Sequence, residues 1–210
     1  MDVGAFLESG ERRDEKLNFQ LANSIVVGKD EDAVNSLFIA LKTGTVCKKY
    51  KIWRLVASIA KIEPVLIAPY AEILIENMDS KYTNIQSTCM AILWYILPIR
   101  PVFIWEHIEV LQYAGESGAV VARDYLVKIL VQLGSNDRYY EASIHLLLQW
   151  LRDAPENQMA TYAEQAFSIM KAADRSAFAT ILSHRIMHTQ AITKMKRLQT
   201  LLHLVIRQMD

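Results

Sequence analysis

Turns recur along this chain about every 36 residues, and a period of that length constrains the fold more than any single motif. They follow Glu76-Asn77-Met78-Asp79, Gln112-Tyr113-Ala114-Gly115-Glu116 and Trp150-Leu151-Arg152-Asp153. Between them apolar residues return every three or four positions, the spacing of one helical face. Two helices fit in such a unit, and because they cannot bury their apolar faces alone, successive units have to stack. The expectation is an all-α solenoid whose long curved surface holds something.

Punctuation by Gly, Pro and Asx sets the expected helices. The first covers about 12–27, with Leu17, Leu21, Ile25 and Val26 on one stripe and Gly28 as its stop. Asp30 is placed to cap the next, which runs through Val34, Leu37, Phe38 and Leu41 to Gly44, because its carboxylate can accept from amides of the first turn. Thr45–Lys61 and Glu63–Met78 follow, with Pro64 in the first turn of the latter and a kink expected at Pro69, where an N–H is missing. Further helices are expected at 82–97, 101–114, 118–133, 138–152, 156–171, 174–187 and 189–207, with Asp137 capping the one that starts at 138. No stretch alternates apolar and polar residues over the length of a strand. Units then begin near Glu31, Glu63, Pro101, Arg138 and Asp174. The reading is one domain over 1–210, with residues 1–29 as an N-terminal cap and 30–207 as helical repeats.

Composition narrows the classes of partner. Lys plus Arg and Asp plus Glu both number 23 among 210 residues, so no overall charge draws the chain to nucleic acid or acidic lipid. Cys47 and Cys89 lack the CxxC spacing of a zinc site and form no disulfide framework, which fits a reducing compartment. An acidic start without a long apolar stretch is unlike a secretory signal. The most apolar run, Cys89 to Ile99, is shorter than the roughly 20 residues a bilayer requires. The expected location is the cytoplasm, away from membranes.

The stretch from Pro64 to Asp79, followed by Ile85 and an apolar run, resembles the HEAT-repeat and armadillo-like families. It is similar to a HEAT first helix with its proline, the inter-helix Asp and the β-branched opening of the second helix. The resemblance covers about 30–207. It implies a right-handed superhelix of about five antiparallel helix pairs behind an N-terminal capping helix, with the second helix of each pair lining the concave face. Gln86 and Ala122 stand where many such repeats carry a basic residue, so a regular Asp–Arg ladder is not expected. These families include scaffolds, transport adaptors, bilin lyases and alkylpurine DNA glycosylases, so function has to come from a site.

On the second helix of the first pair, Lys48, Lys51, Arg54, Ser58 and Lys61 form one polar stripe. Four cations at that spacing suit an acidic peptide, a phosphate or a nucleic-acid backbone; the other reading is a solvated face paired with acids on neighbouring helices. Trp105 and Arg123 complete the candidate partner contacts. The last helix carries Lys194, Lys196, Arg197 and Arg207 beside an apolar seam of Ile192, Met195, Leu198, Leu202 and Val205, which reads as an end cap or a second basic surface. Acids gather at Glu8–Glu15 and Asp30–Asp32, where they cap helices or meet the basic end of another copy. His184 and His188 sit one turn apart, as two metal ligands would, but no third ligand completes a set. Trp53 and Trp94 read as core, whereas Trp105 and Trp150 reach a groove edge. There is no GxSxG, phosphate-cradling glycine loop, HExxH or Cys with a base partner. The expectation is therefore a non-enzymatic protein- or peptide-binding module without a cofactor. A nucleic-acid-binding or glycosylase-like protein, with Glu106 beside Trp105, is the alternative, and a small-molecule lyase or carrier is the third.

Overall fold

A computed structural model of the chain describes Gly4, Phe6 and residues 15–209. Among the described residues every regular element is helical and none is a strand. The helices are α1 (Glu15–Gly28), α2 (Glu31–Thr43), α3 (Val46–Ile62), α4 (Ala71–Glu76), α5 (Thr83–Ile96), α6 (Pro101–Glu106), α7 (Ile108–Ser117), α8 (Val120–Gly134), α9 (Asp137–Asp153), α10 (Glu156–Phe167), α11 (Arg175–His188) and α12 (Ile192–Arg207). The chain divides into two compact units, Met1–Leu126 and Val127–Asp210. The acidic run Glu8–Glu15 lies, apart from the backbone of Glu15, outside the described residues.

In the first unit α3 is the central helix, packed against α1, α2 and α5. Its inner face, Ile52, Trp53, Leu55, Val56 and Ile59, is excluded from solvent, which accounts for that packing on several sides. Phe38 stacks on Tyr70 with ring centres 3.9 Å apart and meets the edge of Trp53 at 6.0 Å. Trp53 is core, as its apolar surroundings in the sequence imply, whereas Trp94 is half-buried beside Tyr95 and Tyr125.

Several ends fall where the sequence places them. Asp30 accepts from Ala33 N at 2.8 Å and Thr45 from Lys48 N at 3.4 Å, and Gly44 closes α2. At the end of α1 the left-handed residue is Lys29, with φ of 47°, rather than Gly28. The cap of α9 is Asn136, which accepts from Arg138 N at 2.9 Å; Asp137 is already inside the helix.

Two expected helices are broken. Over 63–78 the chain forms 3-10 turns at Pro64–Leu66 and Ala68–Tyr70 before α4 begins. Two prolines five positions apart remove donors and crowd the preceding turn, so an α-helix becomes continuous only after Pro69. The 101–114 helix breaks at His107, with no Pro or Gly at the break. There the ring Nδ1 lies 2.8 Å from the Phe103 carbonyl, while the His107 amide turns to Ile104 O. The side chain takes the acceptor that the backbone would have used. Gly118, expected inside a helix, is the extended cap of α7, and α8 starts at Val120.

In the second unit α9 packs on α10 and α11, and α12 on α10 and α11. Tyr140 bonds to Asp174, Lys171 to Asp137, Arg185 to the Arg152 and Ala154 carbonyls, Glu156 to the Gln190 and Ala191 amides, and Arg197 to Glu164. Each of these ties joins residues 31 to 35 positions apart. On α12 the buried face is Leu198, Leu201 and Val205, while Ile192, placed on the seam by the sequence pattern, is 64% exposed.

Candidate binding groove on the first unit

Three helices of the first unit contribute one face each to a groove of about 540 Å³. From α3 come Tyr50, Arg54, Ala57, Ser58 and Lys61; α5 gives Ser87, Thr88, Ala91 and Tyr95; and the start of α8 gives Val121 and Tyr125. Residues 50, 54, 58 and 61 recur at helical spacing and therefore share a face. Ala57, Ser58, Ser87, Thr88 and Ala91 are the small residues of the lining. Arg54 and Lys61 are the charged side chains of the lining, and no carboxylate lies among the lining residues. The formal charges among the lining residues are thus both positive, although the chain as a whole is neutral.

Two of the small hydroxyls here already have acceptors. Ser58 Oγ donates to Arg54 O at 3.0 Å, and Thr88 Oγ1 to Asn84 O at 2.7 Å. Ser87 Oγ is buried without a hydrogen-bond partner. The side chains of Tyr125 and Tyr95 hydrogen-bond to each other, and the Tyr125 ring centre lies 5.7 Å from Trp94. Burial, then the bond and charge of Tyr95 and the nearby Asp124, push the Tyr125 hydroxyl up to about 12. It stays a neutral donor at any physiological pH.

The structure divides the residues singled out by sequence. Arg54 and Lys61 are brought together in the groove, with Ser58 between them. Lys51 leaves the stripe. It is buried, its Nζ donates to the Phe6 carbonyl, and the ammonium lies 4.2 Å from the centre of the Phe6 ring. The position lies on the inner side of α3, as its buried neighbours Ile52 and Leu55 show. Lys48 is exposed on the first turn of α3, outside the lining. Arg123 turns back to donate to Gly115 O at 3.3 Å at the end of α7, and Trp105 is half-buried on α6; neither lines the groove.

Other candidates gather less around them. His184 and His188 are exposed with ring centres 4.4 Å apart, and His188 Nδ1 lies 2.8 Å from His184 O. No group of three or more His, Cys, Asp or Glu side chains among the described residues is arranged to hold a metal ion. On α12 Arg197 pairs with Glu164 at 2.7 Å, and Lys194 bonds to Asn157. Cys89 is buried, which pushes its thiol well up, and Cys47 is exposed. Among the described residues no helix is long and apolar enough to cross a membrane.

Reading the sequence for cations overlooked the tyrosines and small residues of the groove. A signal for them exists: Tyr50 and Ser87, Arg54 and Ala91, and Ser58 and Tyr95 are each 37 positions apart. No protein-family model, curated protein or solved structure matches this chain. What stands is the class, an all-helical protein with a cationic, tyrosine-walled groove.

Proposed function

We propose that the chain is a non-enzymatic binding module, built as a HEAT-like stack of helix pairs, that holds an acidic segment of a partner protein in the groove of its first unit. One observation carries this: the charged lining residues, Arg54 and Lys61, are both cations, and they share the groove with the small residues Ala57, Ser58 and Ala91. Support for the stacking comes from the equal offset between lining positions on α3 and α5. The ties at 31 to 35 positions in the second unit support it as well. In such a groove the aromatic walls supply affinity, and the two cations speed encounter and select acidic partners.

The test is binding of fluorescent acidic and basic peptides of equal length to the wild type and to Arg54→Glu with Lys61→Glu. Acidic peptides are expected to bind, to weaken with salt and to be lost in the double variant, while circular dichroism stays unchanged. Equal binding of acidic and basic peptides overturns the reading. Binding of oligonucleotides alone, with a steep salt dependence, would replace it with a nucleic-acid role.

A further inference from the structure

We propose that His184, Met187 and His188, at the end of α11, form a surface site for a cuprous ion. The proposal stands apart from the groove and from the binding role argued for it. The three positions are related as i, i+3 and i+4, so their side chains lie together on one face of the helix, about one turn long. All three are exposed. Met187 is 74% exposed, so burial does not account for a large apolar side chain at this position.

The two rings are already close to the arrangement of a chelate. Their centres lie 4.4 Å apart and their planes are tilted by 36°. Two metal–imidazole bonds of about 2.0 Å in a tetrahedral site hold the bound nitrogens about 3.3 Å apart, a spacing that rings at this distance reach by small rotations. His188 Nδ1 lies 2.8 Å from His184 O. A carbonyl oxygen only accepts, so Nδ1 carries the proton and Nε2 is left as the ligand atom. A backbone carbonyl that holds the other ring nitrogen fixes the tautomer and the orientation a metal needs. His188 is also the last residue of α11, where the helix dipole favours a cation.

The third donor decides the metal. The charged neighbours are engaged elsewhere: Arg185 donates to the Arg152 and Ala154 carbonyls, and the Glu156 carboxylate accepts from the Gln190 and Ala191 amides. Among the described residues no third His, Cys, Asp or Glu joins the pair. Zinc sites are completed by such groups, by thiolate, imidazole or carboxylate. What this face offers instead is the thioether of Met187, an unbranched side chain whose polarizable sulfur can swing onto an ion held by the rings. Thioether sulfur is a soft ligand that selects cuprous ion, and imidazole suits copper as well. Three neutral donors at the negative end of a helix then carry a single positive charge.

The experiment is an anaerobic titration of the full chain, free of any affinity tag, with cuprous ion supplied as its acetonitrile complex and followed by proton NMR. The reference protein carries Cys47→Ser, because the exposed Cys47 thiol would compete for the ion. Ring protons of His184 and His188 and the methyl of Met187 should shift, while the His203 ring, which is outside the pair, stays unmoved. Met187→Leu keeps the bulk and should weaken cuprous binding while leaving zinc binding by the two rings unchanged. His184→Gln with His188→Gln should abolish both, with circular dichroism unaltered. No shift at these three residues, an undiminished cuprous affinity in either variant, or zinc bound more tightly than cuprous ion by the reference protein would overturn the proposal.

Discussion

The Tyr140 hydroxyl donates to Asp174 Oδ2 at 2.6 Å across a separation of 34 positions, and the same oxygen accepts from the Lys171 amide at 2.8 Å. Lys171 then lays its ammonium 4.0 Å from the centre of the Tyr140 ring and bonds to Asp137 at 2.6 Å. One phenol thereby ties the start of α9 to the turn before α11. Tyr140→Phe keeps the ring but strands an amide and a carboxylate, and should lower stability by about 1–2 kcal/mol. Urea denaturation followed by circular dichroism reads it directly. An unchanged midpoint would mean that water replaces the phenol without cost.

Alkaline pH should act through two phenols. Burial first, then the bond to Asp174, push Tyr140 up to about 12, and Tyr125 also stands at about 12. In the unfolded chain tyrosine ionises near pH 10. Both folded values are raised, so the stability linked to these groups is complete below about pH 10 and is lost as pH rises toward 12. Urea midpoints at pH 9 and pH 11.5 should fall less in Tyr125→Phe with Tyr140→Phe than in the wild type. Equal falls would assign the alkaline loss to other groups.

Gly118 has no room for a side chain. A Cβ there would collide with Gln86 Oε1 and with the backbone oxygen of Ala114. Gln86 is itself held by donating to Met78 O at 2.8 Å. Gly118→Ala should therefore cost about 1–3 kcal/mol, the range for overpacking. Gly28→Ala is the control, since its Cβ would meet only Asp30 Cβ at 3.9 Å. Comparable midpoints for the two variants would show that Gln86 yields.

Lys51 tests the boundary of the groove. A charged donor to the Phe6 carbonyl belongs to the fold, so Lys51→Ala should lower stability by about 1.5–3 kcal/mol while peptide affinity at a temperature where the protein remains folded stays within twofold. Arg54→Ala should do the reverse. A loss of peptide affinity in Lys51→Ala without a loss of stability would return Lys51 to the binding face.

The helical class was legible because it rests on local periodicity: Val34, Leu37, Phe38 and Leu41 repeat on one face, and the structure buries all four. The cap at Asp30 was legible for the same local reason. His107 was not, because whether a ring takes a carbonyl from its own backbone depends on a rotamer that spacing does not encode. Lys51 was misread because its helical spacing matches that of Arg54, while the surface it faces is set by Phe6, 45 positions away. Of the groove, the two cations of α3 were visible in one helix; Tyr95 and Tyr125 enter from two others and take their meaning only from packing.

The ties in the second unit follow one rule: Arg185 reaches back to Arg152 and Ala154, Glu156 forward to Gln190 and Ala191, and Arg197 back to Glu164. Each stitch joins residues 31 to 35 positions apart. A substitution that removes one half of a stitch therefore acts on a segment 31 to 35 positions away in the sequence, so that the ends of two helices lose their tie at a single mutated site.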